Sequence, residues 1–202
     1  MRSIILIFIA AVLAAACTSG GASTPLQDGD LIFQISRSSQ SQAIQLATKS
    51  KYSHVGILFA QGGKWYVHEA ARFVEVTPLQ EWIARGEAGH YVVKRLKNAG
   101  TVLTPEVLAR MQAESRRFAG KAYDLAFGWS DEKFYCSELV WKIYQRGAGV
   151  EVGKLQKLGE FDLSHAAVKA KLRERYGQHI PLNETVISPA AIFASEQLET
   201  VE

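Results

Sequence analysis

Two strand-like runs, residues 53–60 and 64–71, flank Gly62-Gly63, and no other feature constrains the chain as much. Paired glycines accept the positive φ that a two-residue hairpin turn demands. With such a turn Gln61 faces Lys64, and counting outward His54 faces Ala71. Side chains alternate between the faces of a strand, so Glu69 lies on the same side as Ala71 and diagonal to His54, within hydrogen-bonding reach. His68 then points to the other face. A three-residue loop would exchange the two and make His68 the companion of His54.

The flanking segments set the fold class. Asp28-Gly29-Asp30 is a turn into a short apolar strand, residues 31–34. Serines 36, 38 and 39 offer N-caps to a helix whose stripe is Ala43, Ile44, Leu46 and Ala47. Further strands are predicted at 74–77 and 90–96, with Pro78 opening a short helix through Trp82. Thr104-Pro105-Glu106 caps a long helix to about Gly120, with Val107, Leu108, Met111, Ser115 and Phe118 at helical spacing. After an aromatic loop, Cys136 opens a helix that Gly147-Ala148-Gly149 stops. An amphipathic helix over 164–175 and a short one over 188–193 follow. Strands clustered early and helices mostly at the ends predict an α+β domain.

With 202 residues, 48% hydrophobic and 21% charged, the chain has the composition of a folded domain and not of a disordered one. Its formal charge of +3 includes no long basic run, so nucleic acid is not an expected partner. Two cysteines, Cys17 and Cys136, exclude a disulfide scaffold.

Cys17 follows Met1-Arg2-Ser3, an apolar run and Ala14-Ala15-Ala16. A positive end, a short apolar run and small residues read as a secretory signal peptide over 1–16, too short for the roughly 20 residues of a spanning helix. The small residues also resemble a bacterial lipoprotein cleavage box, although Ala14 stands where that box usually has Leu. Residues 17–25 are then a lipidated or flexible tether, Gly/Ser-rich by composition. Residues 26–202 form the domain.

Cys136 is left as a single unpaired thiol. A buried structural cysteine is the bland reading. At the first turn of a helix, however, the sulfur meets the positive end of the macrodipole and unpaired backbone N–H groups, which favour thiolate. Such a nucleophile needs a base, and His54 with Glu69 supplies a base and an orienting carboxylate. His90, His165 and His179 stand in polar surroundings and read as surface residues. No Cys/His pair has zinc-ligand spacing, so neither a metal nor another cofactor is expected.

Asp28-Gly29-Asp30-Leu31-Ile32-Phe33, Tyr52-Ser53-His54-Val55-Gly56, Glu69-Ala70, Gly120-Lys121-Ala122-Tyr123-Asp124 and Tyr135-Cys136-Ser137-Glu138-Leu139-Val140 occur in that order. Together they resemble the permuted papain-like cysteine hydrolases of the NlpC superfamily, YiiX/YaeF group, in which His precedes Cys. The resemblance implies a papain-like α+β core, a cysteine-bearing helix packed on a small antiparallel sheet, Cys136 as nucleophile, His54 as base and Glu69 as orienter. Tyr123, Asp124 and Tyr135 match positions near the cleft; Asp124 either attracts a cationic substrate group or caps local backbone. The expected activity is hydrolysis of a peptide, cell-wall peptide or lipid amide by an exported, periplasm-facing envelope protein anchored to the membrane through Cys17. A thioesterase or acyltransferase acting on acyl lipids, and a non-catalytic envelope binding module, are the alternatives.

Overall fold

The apolar run at 31–34 is buried on both sides, as expected of a central strand. In the computed structural model, which describes residues 24–201, β1 (Leu31–Ser36) pairs antiparallel with β2 (His54–Gln61) and with β5 (Gly86–Leu96). The sheet continues outward through β3 (Lys64–Ala70) and β4 (Val74–Pro78) on one side and β8 (Leu198–Thr200) on the other. Its order is β4-β3-β2-β1-β5-β8, antiparallel throughout. This is the α+β class the sequence predicts. The segments expected to carry export and lipidation, including Cys17, lie outside the described residues. Among those described, no helix is long and apolar enough to cross a membrane.

Gly62 and Gly63 have φ of 57° and 73°, and Gln61 pairs with Lys64. The hairpin therefore has its two-residue turn, and the parity follows. Phe33, Val55, Ile57 and Phe59 face one layer, built from α4 (Pro105–Phe118) and α5 (Cys136–Ala148). Ile32, Leu58 and Val67 face the other, where α2 (Leu79–Arg85) contributes Leu79 and Trp82. His68 goes to the first layer and bonds Ser115 Oγ of α4 at 2.6 Å. His54 and Glu69 go to the second.

Two glycines set close approaches. A Cβ at Gly56 would meet the Val67 side chain and stand 3.1 Å from the His68 carbonyl oxygen, and one at Gly147 would stand 2.8 Å from Met111 Cα. The second allows α4 and α5 to pack backbone against backbone.

α1 (Ser41–Thr48) and α6 (Ala166–Tyr176) form a smaller cluster beside this core, with Leu158, Val168 and Leu172 buried between them. Gln40 is the N-cap residue of α1 and makes no side-chain cap. None of serines 36, 38 and 39 is the N-cap residue, and Ser36 Oγ accepts instead from the Ser38 amide. The remaining elements are short: α3 (Ala99–Val102), β6 (Gln156–Lys157) paired with β7 (Thr185–Val186), and α7 (Pro189–Phe193).

Candidate active site

Cys136 is the first residue of α5 and only 2% exposed. The N-cap residue, Tyr135, is extended and offers no side-chain cap to the first turn; its hydroxyl instead accepts from the Ile187 amide at 3.1 Å. The backbone N–H groups of Ser137 and of Val55 on β2 favour the ionised form of the sulfur. Burial pushes this thiol up, but a hydrogen bond and charge from His54, together with those two amides, outweigh it and hold the thiol below its ordinary range.

His54 opens β2, and its Nε2 lies 2.5 Å from Oε2 of Glu69. Burial would lower the imidazole, yet hydrogen bonds and charges from Cys136 and Glu69 raise it well above its usual value. Both shifts favour the thiolate–imidazolium form of the pair. Glu69 is fully buried and accepts from three further donors: Thr77 Oγ1 at 2.7 Å, Trp82 Nε1 at 3.0 Å, and Arg85. Burial pushes its carboxyl up, and the His54 contact, the Thr77 bond and the Arg85 charge together bring it below the ordinary carboxylate range. Trp82 also stacks on the His54 ring, 5.8 Å between centroids and 24° between planes.

The three residues predicted to act together are thus brought into one row, with His54 interacting with both of the others. The donors around Glu69 were missed in the sequence, although the same parity count reaches one of them: Thr77 pairs with Val67 and so shares its face.

Of the three cleft residues, Tyr123 lines the same cavity as Cys136, and its oxygen accepts from Gln40 Nε2 at 2.8 Å. Gln40 is a further residue that sequence reasoning missed. Asp124 spends both carboxylate oxygens on backbone, accepting from Ala126 N at 2.8 Å and Gly128 N at 2.7 Å, which is the local-cap option left open for it. Tyr135 sets its ring edge-on to Phe127 at 5.1 Å.

Two cavities meet at this row. One, of about 730 Å³ and open to solvent, starts at Cys136 and runs between α1 and α6 past Ala43, Ile44, Ala47, Phe127, Leu163, Val168 and Leu172. It is a predominantly apolar groove. The other, of about 1200 Å³, touches His54 and Glu69 and carries Gln34, Ser36, Ser53, Arg72 and Arg85. Gln40 and Tyr123 border both.

A family model described as a permuted papain-like amidase enzyme of the YaeF/YiiX type matches residues 25–202. The chain belongs to this family. Among the permuted papain-like amidases it is 55% identical over 175 residues to the uncharacterized protein YiiX of Escherichia coli strain K12, covering 87% of this chain and 85% of that one. It also superimposes with a TM-score of 0.83 on the crystal structure of the metalloprotein YiiX from Escherichia coli O157:H7, at 56% identity over 87% of this chain and 96% of that one. Among the described residues here, no three His, Cys, Asp or Glu side chains gather as a metal site. The resemblance read from the five motifs is borne out at the level of family and fold.

Proposed function

We propose that this protein is a cysteine hydrolase that cleaves an amide through a thioester formed on Cys136. The observation carrying this reading is the buried row Cys136–His54–Glu69, with the thiol held low and the imidazole held high. The sulfur attacks the carbonyl carbon of the substrate, and the carbonyl oxygen becomes negative near the first turn of α5, where backbone N–H groups favour an anion. His54 gives its proton to the amide nitrogen, the C–N bond breaks, and the amine departs. Water then yields a proton to His54 and attacks the thioester carbonyl. The acid leaves, and thiolate and imidazolium are restored. Glu69 keeps the His54 ring in place and stabilises its charge throughout.

Among peptide, cell-wall peptide and lipid amide, the apolar groove that starts at Cys136 favours an amide with an apolar acyl portion. The same groove supports thioester or acyl-transfer chemistry on acyl lipids as the second reading, since both pass through an acyl group on sulfur. Incubation with N-acyl amides of graded chain length, followed by intact-mass measurement, tests this. A mass increase equal to the acyl group, absent in Cys136→Ala and larger for longer chains, is expected. Failure of every amide and acyl ester to modify Cys136 would leave a binding module.

Export with anchoring at Cys17 forms part of the same proposal, supported by the order of basic, apolar and small residues before Cys17. Detergent-phase partitioning that Cys17→Ser abolishes is expected; an aqueous wild-type protein would overturn it.

A further inference from the structure

Gln40 lies just before α1, and Arg175 lies in the last turn of α6, 135 residues away in sequence. Their contact leads to the site through a chain of hydrogen bonds whose direction is fixed by chemistry. A guanidinium has donors only, so the Gln40 atom that meets Arg175 has to be the carbonyl Oε1. The amide N–H₂ is thereby turned toward Tyr123, whose oxygen stands 2.8 Å from Nε2. Because Nε2 can only donate, the Tyr123 oxygen accepts there, and its own proton is directed away from Gln40. On that side lies the cavity that Tyr123 and Cys136 line together.

The first link is itself held. The Arg175 guanidinium lies over the Phe127 ring at 4.8 Å, and the neighbouring Tyr176 hydroxyl donates to the Ala126 carbonyl at 2.5 Å. The end of α6 is thus fastened to the loop that follows Tyr123.

We propose that Arg175 and Gln40 are positioning residues that fix the direction of the Tyr123 proton, so that Tyr123 donates to the Cys136 sulfur and, during reaction, to the oxygen of the carbonyl under attack. This inference rests on the hydrolase reading for its effect on turnover, but the orientation of the proton stands apart from it.

Gln40→Glu separates this role from a merely structural one. The substitution keeps the side-chain length and the Arg175 contact, but both carboxylate oxygens accept, so the Tyr123 proton turns toward them and away from the sulfur. The expected result is an unchanged melting temperature, KM within about twofold, kcat lowered at least about tenfold, as in Tyr123→Phe, and a higher pH midpoint for Cys136 alkylation by iodoacetamide. Placing Gln40→Glu in a Tyr123→Phe background tests the route. If the effect passes through Tyr123, the second substitution adds little to the alkylation midpoint, whereas a direct effect of the new negative charge would persist and overturn the proposal. Arg175→Lys, which still offers only donors, is expected to retain wild-type behaviour that Arg175→Met loses. Full kcat and an unmoved alkylation midpoint in Gln40→Glu would reduce the chain to a brace between α1 and α6. A wild-type protein that hydrolyses nothing would defeat the hydrolase reading, and the alkylation arms would still decide the direction of the proton.

Discussion

Oε2 of Glu69 accepts at once from the His54 ring at 2.5 Å and from the Trp82 indole at 3.0 Å, while Trp82 stacks on that same ring. One indole therefore restrains both the base and the carboxylate that orients it. Trp82→Phe keeps the stack and removes the indole donor. Turnover of an N-acyl amide is expected to fall about tenfold or less in this variant, against a loss on the order of 10²–10⁴ in Glu69→Gln. Steady-state kinetics on the two variants checks the order.

Turnover should follow a bell-shaped pH profile. Its acid limb is set by the Cys136 thiol, held below its ordinary range by His54 once burial is offset, and its alkaline limb by His54, held above its ordinary value of about 6.5. Glu69→Gln removes a charge that favours imidazolium, so the alkaline limb moves down in pH. The pH dependence of kcat/KM in both proteins measures the shift.

Glu138, two residues past Cys136, is fully buried, with Oε1 bonded to Lys142 at 2.7 Å and Oε2 without a hydrogen-bond partner among the described residues. Burial pushes its carboxyl up to about 7, against the opposing pull of Lys142. A carboxyl raised above its unfolded value holds the extra proton in the folded state, so its contribution to stability is fully present below about pH 4.5 and is lost as pH rises through about 7. The shift corresponds to about 3 kcal/mol. Urea unfolding is expected to show Glu138→Gln gaining stability relative to wild type as pH rises from about 5 to about 8.

The groove between α1 and α6 can be narrowed without touching the reacting row. Ala43→Phe, on the α1 wall, is expected to lower turnover of long-chain N-acyl amides by about tenfold or more, while acetyl-sized substrates and the rate of Cys136 alkylation change little. A uniform loss across chain lengths would remove the groove from the substrate path.

Gly147→Ala inserts a methyl group against the backbone of Met111. α4 and α5 must separate to admit it, at a cost of about 1–3 kcal/mol. The urea midpoint should fall with the slope unchanged.

What could be read from the sequence was local or periodic. The glycine pair and the two-residue strand period place His54 beside Glu69, and Cys136 is found by its position ahead of a helical run. The donors that clamp Glu69 come from β4 and α2, 8, 13 and 16 residues along the chain; Thr77 was within reach of the strand count, but no short-range pattern points Trp82 and Arg85 back at one carboxylate. Serines 36, 38 and 39 do not cap α1 as expected, because a hydroxyl can serve any nearby amide: Ser36 Oγ takes the Ser38 amide, and Gln40 becomes the N-cap residue. β8 carries three residues and is held by its pairing with β5, a long-range partner that its own sequence does not announce. β5 begins at Gly86, earlier than its apolar residues suggest, because its first part is mostly exposed and includes Ala88 and Gly89 at positive φ.

The start of the described chain is tied into the sheet. Arg95 on β5 donates to both oxygens of Asp30, at 2.8 and 2.7 Å, and its Nη2 also donates to the Pro25 carbonyl at 2.7 Å. β1, which follows directly, has hydrogen-bonded neighbours on both sides. A pull applied at the N-terminal end is therefore carried into the middle of the sheet, where both ladders of β1 have to shear together, instead of peeling an outer strand one bond at a time. Tension from that end reaches the site as well, because Gln34 of β1 pairs with His54.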